Sequence, residues 1–217
     1  IVDRFVAAYG EKKAEEIFKA FHNKSTISIR TNLTRCTPDE LRAMLEAEGV
    51  TVTAVDELDY AFVISGFDYL NGLQSFRDGL FYVQDISSML VAQTAAPKKG
   101  DYVIDVCAAP GGKSTHIAEL LQGSGHVLAR DLTDTKVGMI EENIDRHGLK
   151  NMSAEVWDAT VPDADSAGKA DILICDLPCS GLGVLGRKKD IRYKMTPESV
   201  DELVVLQRQI LDTVHTY

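Results

Sequence analysis

The chain has 217 residues, is 45% hydrophobic and 26% charged, and carries a formal net charge of −10. That length supports one large domain or two small ones, each with a real core. The acidic balance excludes a wholly basic phosphate-binding surface, so any nucleic-acid contact is local or comes from other segments.

Residues 1–22 read as helix, with Phe5, Val6 and Tyr9 on one face and Ala14, Ile17 and Phe18 following a break at Gly10. Thr26-Ile27-Ser28-Ile29-Arg30 alternates as a strand does. Thr37-Pro38-Asp39-Glu40 is a capping box with Pro at the first helical position, followed by a Leu41, Met44, Leu45 stripe and Gly49. Two further strands are expected around 50–55 and 60–64. Strand, helix, strand, strand in so short a span predicts a small α+β module, residues 1–78.

From Gly79 the rhythm changes. Asp85 is placed to cap a helix over 86–95, and Pro97-Lys98-Lys99-Gly100 ends it. Tyr102-Val103-Ile104-Asp105-Val106 is nearly continuous in apolar residues, as in a parallel strand buried on both faces. A Gly-bearing loop, a helix from about Lys113, a strand at 126–129 and a helix through Val137, Ile140 and Ile144 follow. A weak strand near 154–157, a strong one at 171–175 and an amphipathic helix over 197–216 complete the alternation. This predicts a doubly wound, Rossmann-like α/β core over 79–217. Four strands make an open sheet that is expected to continue beyond Tyr217.

No apolar run approaches the roughly 18 residues that span a bilayer, and Ile1-Val2-Asp3-Arg4 is unlike a signal peptide. A cytoplasmic protein with no membrane contact is expected, and no protein partner is evident. Cys36, Cys107, Cys175 and Cys179 are expected to be reduced, with one or two buried. Cys175 and Cys179 flank Pro178 with no second close pair and no nearby His, which argues against a metal site.

Three strand ends carry chemistry. Asp105-Val106-Cys107-Ala108-Ala109-Pro110-Gly111-Gly112-Lys113-Ser114-Thr115 lies where a buried strand gives way to a helix, the crevice in which open α/β sheets bind ligands. It is neither a dinucleotide fingerprint nor a P-loop: the spacing of glycines is wrong for both, and Pro110 removes an N–H that a phosphate would use. Asp131 ends the next strand, where a carboxylate can accept ribose hydroxyls. Asp158 ends the third, placed to accept from an adenine amine. A lone Asp at a strand end is more often a helix cap or loop residue, but three successive ends fit an adenosine with a charged tail and no phosphates. S-adenosylmethionine (SAM) is such a ligand.

The fourth strand leads into Asp176-Leu177-Pro178-Cys179-Ser180-Gly181-Leu182-Gly183. Enzymes that methylate exocyclic amines usually carry an Asn/Asp-Pro-Pro-aromatic sequence there, so Pro-Cys argues against that chemistry. Carbon 5 of cytosine is too weakly nucleophilic to attack a methyl sulfonium. A thiolate adding to carbon 6 makes carbon 5 an enamine carbon, and a nearby acid such as Asp176 can stabilise the base. Without that role Cys179 is a small residue packed in a turn. Arg187, Lys188, Lys189, Arg192 and Lys194 cluster just beyond, around Tyr193, and could hold backbone phosphates and stack a splayed base or could simply be solvated.

The chain resembles the Sun/nucleolar-protein (RsmB-like) family of RNA cytosine-5 methyltransferases over essentially its whole length. The likeness runs through Ser28-Ile29-Arg30-Thr31-Asn32, residues 79–88, 107–113, Asp131, Asp158, 176–183 and 206–211. It implies that Cys107, Ala108, Ala109, Pro110, Gly111, Gly112, Lys113, Asp131, Asp158 and Asp176 contact SAM. It further implies that residues 1–78 are an RNA-recognition-like subdomain and that the partner is ribosomal RNA, small subunit first. In the family the Pro-Cys thiol, here Cys179, helps release the methylated base, while a Thr-Cys motif on the next strand supplies the nucleophile. No residue here matches that nucleophile, so either it lies beyond Tyr217 or Cys179 attacks, as in DNA cytosine methyltransferases. Leu177 departs from the commoner Ala, and no segment matches the family's N-terminal helical RNA-binding domain. The alternative is a non-catalytic SAM- or RNA-binding or ribosome-assembly protein, distinguished by whether the full-length chain holds the Thr-Cys motif.

Overall fold

Gly10, with a φ of 77°, separates α1 (Val2–Tyr9) from α2 (Glu11–Ala20), the break expected in the N-terminal helical segment. The computed structural model describes residues 2–21, 26–186 and 190–217. Compact packing divides the chain into two units, one made of 1–25 with 178–208, the other of 26–177 with 209–217. In the first, Phe5 meets Tyr9 and Phe18, and Phe18 meets Phe21, so an aromatic cluster ties α1 to α2.

The larger unit holds two sheets. β1 (Ile27–Thr31) alternates apolar and polar residues, yet is buried from Ser28 to Thr31. Thr37 and Glu40 exchange the two bonds of the expected capping box at the start of α3 (Pro38–Ala47). β2 (Thr51–Val55) and β3 (Leu58–Ser65) form a hairpin. After α4 (Gln74–Arg77), β4 (Phe81–Val83) completes an antiparallel sheet of order β2-β3-β1-β4. The expected break after residue 78 therefore falls just before a strand of this same sheet, because β4 pairs with β1, some fifty residues earlier in the chain.

One sheet face packs Ile29, Phe62, Ile64 and Phe81 against Leu41 and Leu45 of α3. On the other, Tyr60 and Ala61 meet Met89 of α5 (Ile86–Ala95). Base stacking on an open sheet face, a common use of four-stranded RNA-binding sheets, is therefore closed to this module.

The second sheet runs through β5 (Tyr102–Asp105), α6 (Gly112–Leu120), β6 (His126–Asp131), α7 (Asp134–His147), β7 (Met152–Val156) and β8 (Ile172–Ile174). Its strands are all parallel and ordered β7-β6-β5-β8. Val103, Val127, Ala129 and Ile174 pack with Ile117, Leu121 and Ile140 of the flanking helices, the core of the doubly wound arrangement expected. The order reverses beside β5, which makes the carboxyl ends of β5 and its neighbours the ligand crevice. α8 (Ile191–Lys194) and α9 (Pro197–Val214) follow. Among the described residues no helix is long and apolar enough to cross a membrane.

Candidate active site

The turn after β5 is the centre of the crevice. Gly111, at a φ of 101°, lets the chain enter α6, and its N–H donates to the Ala108 carbonyl at 2.7 Å. The Ala108 N–H donates to Arg130 O at 2.8 Å, and the Ala109 N–H to Asp131 Oδ2 at 2.9 Å, so the turn is fastened to the end of β6. On its other side Lys113 Nζ donates to Asp176 Oδ2, beyond β8. Cys107 to Lys113, Asp131 and Asp176 are thus brought together.

Asp131 is buried and also accepts from Leu132 N–H and Lys136 Nζ, each at 2.8 Å. A carboxylate has about four acceptor sites, so capacity for one more donor remains. Asp158 is exposed and closes a local turn, accepting from the Thr160 hydroxyl at 2.7 Å and its N–H at 2.9 Å. Those two bonds hold its carboxyl below the usual range. The Trp157 N–H donates to Asp131 O at 3.0 Å, which keeps the turns after β6 and β7 adjacent.

Asp105, which opens the motif, is a buried carboxyl of the site. It is 1% exposed and accepts from Ser114 Oγ at 2.6 Å, and among the described residues its Oδ1 has no partner. Burial pushes it up to about 6, against the opposing pull of Ser114, the Cys107 N–H and Lys113. The signal available in the sequence was an Asp closing an otherwise apolar strand.

All four cysteines are free, and none is fully buried: Cys36, Cys107 and Cys175 are half-buried and Cys179 is exposed. The expectation of one or two buried thiols fails because these residues sit at strand ends and turns, not under the helices. Burial, then Asp131 and Asp105, pushes Cys107 up to about 12. Burial also raises Cys36 and Cys175. A thiol kept protonated is a poor nucleophile, which argues against an attacking role for these three. Cys179 belongs to the smaller unit, where Gln207 Nε2 of α9 donates to the Pro178 carbonyl at 2.7 Å and anchors the residue before it.

Of the basic cluster, Arg187, Lys188, Lys189 and the Arg192 side chain lie outside the described residues. Lys194 pairs with Asp190 at 2.9 Å, and Tyr193 is 78% exposed. Among the described residues no group of three or more His, Cys, Asp or Glu is placed to hold a metal.

A parallel sheet with a Gly-rich turn at its switch point and a carboxylate on the next strand is the architecture of the SAM-dependent methyltransferases. The chain belongs to the 16S rRNA methyltransferase RsmB/F family, whose model matches residues 92–217. The ferredoxin-like domain of RsmF/B-like methyltransferases matches residues 1–67. It is similar to the probable ribosomal RNA small subunit methyltransferase B of Bacillus subtilis (strain 168), with 37% identity over 97% of this chain and 47% of that one. The chain therefore spans about half the length of that relative. The crystal structure of PH0851 superposes with a TM-score of 0.92 at 28% identity, over 99% of this chain and 49% of that chain. NSun6 from Pyrococcus horikoshii, solved with SFG, shares the fold at a TM-score of 0.86 and 22% identity, over 98% of this chain and 78% of that chain.

Proposed function

We propose that this chain carries the SAM-binding core of an enzyme that methylates carbon 5 of a cytosine in small-subunit ribosomal RNA, through a covalent cysteine–base intermediate. The observation that carries the reading is the Asp176 carboxylate held by Lys113 beside the turn after β5, in a sequence, Asp176-Leu177-Pro178-Cys179, whose thiol is exposed.

The residues present fit SAM. Gly111 and Gly112 bring backbone close to the start of α6, where a carboxylate is favoured by the free N–H groups. Asp131 and Asp158 offer acceptors for ribose hydroxyls and an adenine amine, and Asp105 holds a buried carboxylate oxygen to which a cationic ligand could bond. When bound, SAM supplies an electrophilic methyl group. Cys107 to Lys113, Asp131, Asp158 and Asp176 would hold it. Asp176 would steady the base as electrons move toward its ring nitrogen, and Cys179 would act on the base, either releasing it after methylation or attacking it. A target base must leave any stack to reach such a site, so the RNA is single-stranded there or flipped.

The test is methyl transfer from labelled SAM to unmodified small-subunit RNA by the full-length protein, with Cys179→Ala alongside. Label in 5-methylcytosine supports the reading, and label elsewhere or nowhere overturns it. A covalent protein–RNA adduct accumulating in Cys179→Ala assigns this thiol to release. No adduct and no product assigns it to attack.

A further inference from the structure

The site has a second wall. Behind the turn, Arg30 of β1 is almost wholly buried and lies along one side of α6. Its guanidinium donates to the Gly112 carbonyl at 2.9 Å, the Thr115 hydroxyl at 3.2 Å and the Glu119 carboxylate at 2.8 Å. Residues 112, 115 and 119 share one helix face, so a single side chain in the small sheet grips α6 along two turns. The same guanidinium donates to the side-chain oxygen of Gln84 and lies 5.4 Å from the centre of the Tyr82 ring. Tyr82, on β4, donates its hydroxyl to the Pro110 carbonyl at 3.0 Å, and Asn143 of α7 donates to the same carbonyl at 2.9 Å. The fit is close: a Cβ on Gly112 would come within 3.1 Å of the Tyr82 ring. The carbonyls on either side of Gly111 are therefore both held by residues of the small sheet.

We propose that Arg30 and Tyr82 are positioning residues for the cofactor turn, so that the small sheet is a working part of the SAM site. Preorganising the turn before the ligand arrives removes an ordering cost from binding. The inference rests on reading residues 107–113 as the SAM-binding turn. A purely architectural role, in which Arg30 only joins the small sheet to α6 through Glu119, predicts something different. Replacing both members of a buried ion pair with apolar residues of similar length is often tolerated, whereas removing one strands the other. Arg30→Met with Glu119→Met thus strands no charge but leaves the Gly112 carbonyl without its outside donor, while Thr115, Gln84 and His147 each lose a contact as well. Tyr82→Phe removes the bond to Pro110 and the one its hydroxyl accepts from Asn143, which itself keeps its bond to Pro110.

The experiment is calorimetric titration of SAM into the full-length protein, with unfolding midpoints and steady-state kinetics on the same samples. The wild type, Tyr82→Phe, the double variant and Asp131→Ala are compared. The double variant is expected to bind SAM about tenfold more weakly and Tyr82→Phe about threefold to tenfold more weakly, each losing one or two hydrogen bonds to the turn. The loss falls in KM for SAM, with kcat at saturating SAM within about twofold, since the bonds act on binding and not on the reacting atoms. Wild-type affinity in both variants, with binding lost in Asp131→Ala, overturns the proposal. If the double variant does not fold, Tyr82→Phe decides alone. Failure of the wild type to bind SAM instead removes the reading of the turn itself.

Discussion

Lys113 Nζ lies 2.5 Å from Asp176 Oδ2, joining the turn after β5 to the turn after β8 across the point where the sheet reverses. Asp176 is 59% exposed in this pair, so the contact is worth little to the fold: exposed ion pairs contribute about 0–1 kcal/mol. Its value lies in where it holds a carboxylate. Lys113→Met is expected to lower the unfolding free energy by less than about 1 kcal/mol while reducing methyl transfer at least about tenfold. Urea unfolding and single-turnover methylation on one preparation check this, and equal losses in both would refute the positioning role.

Asp131 and Asp158, expected to meet the ribose and the adenine of one ligand, differ in their surroundings. Asp131 is buried and fastened to the turn by the Ala109 N–H, while Asp158 is exposed and satisfied by Thr160. A charge-assisted bond to a ligand is worth about 1.5–3 kcal/mol, so Asp131→Asn should weaken SAM binding by roughly 10- to 100-fold. Asp158→Asn, competing with water and Thr160, should cost no more than about fivefold. Titration calorimetry on both variants tests the ranking.

Gly79 sits where the small sheet meets the end of α7. Its φ is 66°, and a Cβ there would lie 1.9 Å from the Arg146 carbonyl oxygen. Gly168 has a φ of 67° but nothing within 4 Å of the same position. Gly168→Ala should cost about 1–2 kcal/mol for the left-handed backbone alone. Gly79→Ala should cost at least about 3 kcal/mol, since backbone must move as well. Similar urea midpoints for the two variants would mean that the close approach is not maintained in solution.

These cases mark what the sequence made legible. The capping box at Thr37–Glu40, the break at Gly10 and the strand–turn–helix at 102–115 are local patterns, and local rules found them. β4 is only three residues long and takes its partner from β1, so nothing near residues 81–83 announced it. α6 is a second case. Its Ser114, Thr115, His116 and Glu119 are polar, yet all are buried: Ser114 bonds Asp105 of β5, while Thr115, His116 and Glu119 meet Arg30 and Tyr60 of the small sheet. Burial and Arg30 push His116 down to about 2, so it sits there neutral. Arg30 belongs to the alternating strand expected over 26–30. Its importance depends on what the far face of that strand meets, which a strand's own period does not encode.

Asp105 yields a prediction in pH. Burial pushes its carboxyl from 3.8 to about 6. A carboxyl whose folded value lies above its unfolded one keeps a proton in the native state that the unfolded chain has lost. The native state therefore binds more protons between about pH 4 and 6, and stability falls as pH rises through that window. Above it the full deficit remains, about 3 kcal/mol for a shift of roughly two units in a buried group. Asp163 acts in the opposite sense and elsewhere. The Ser166 hydroxyl and Arg130 pull it down to about 2, so its contribution is present above about pH 4 and lost below. Wild type and Asp105→Asn should thus diverge in ligand-free urea unfolding, with the variant gaining on the wild type as pH rises from about 4.5 to 7. SAM, which brings a cation to this strand end, should narrow the gap by favouring the ionised carboxyl. Parallel profiles for the two proteins without ligand would show that Asp105 does not titrate in this window. A gap that SAM leaves unchanged would separate this carboxylate from the cofactor.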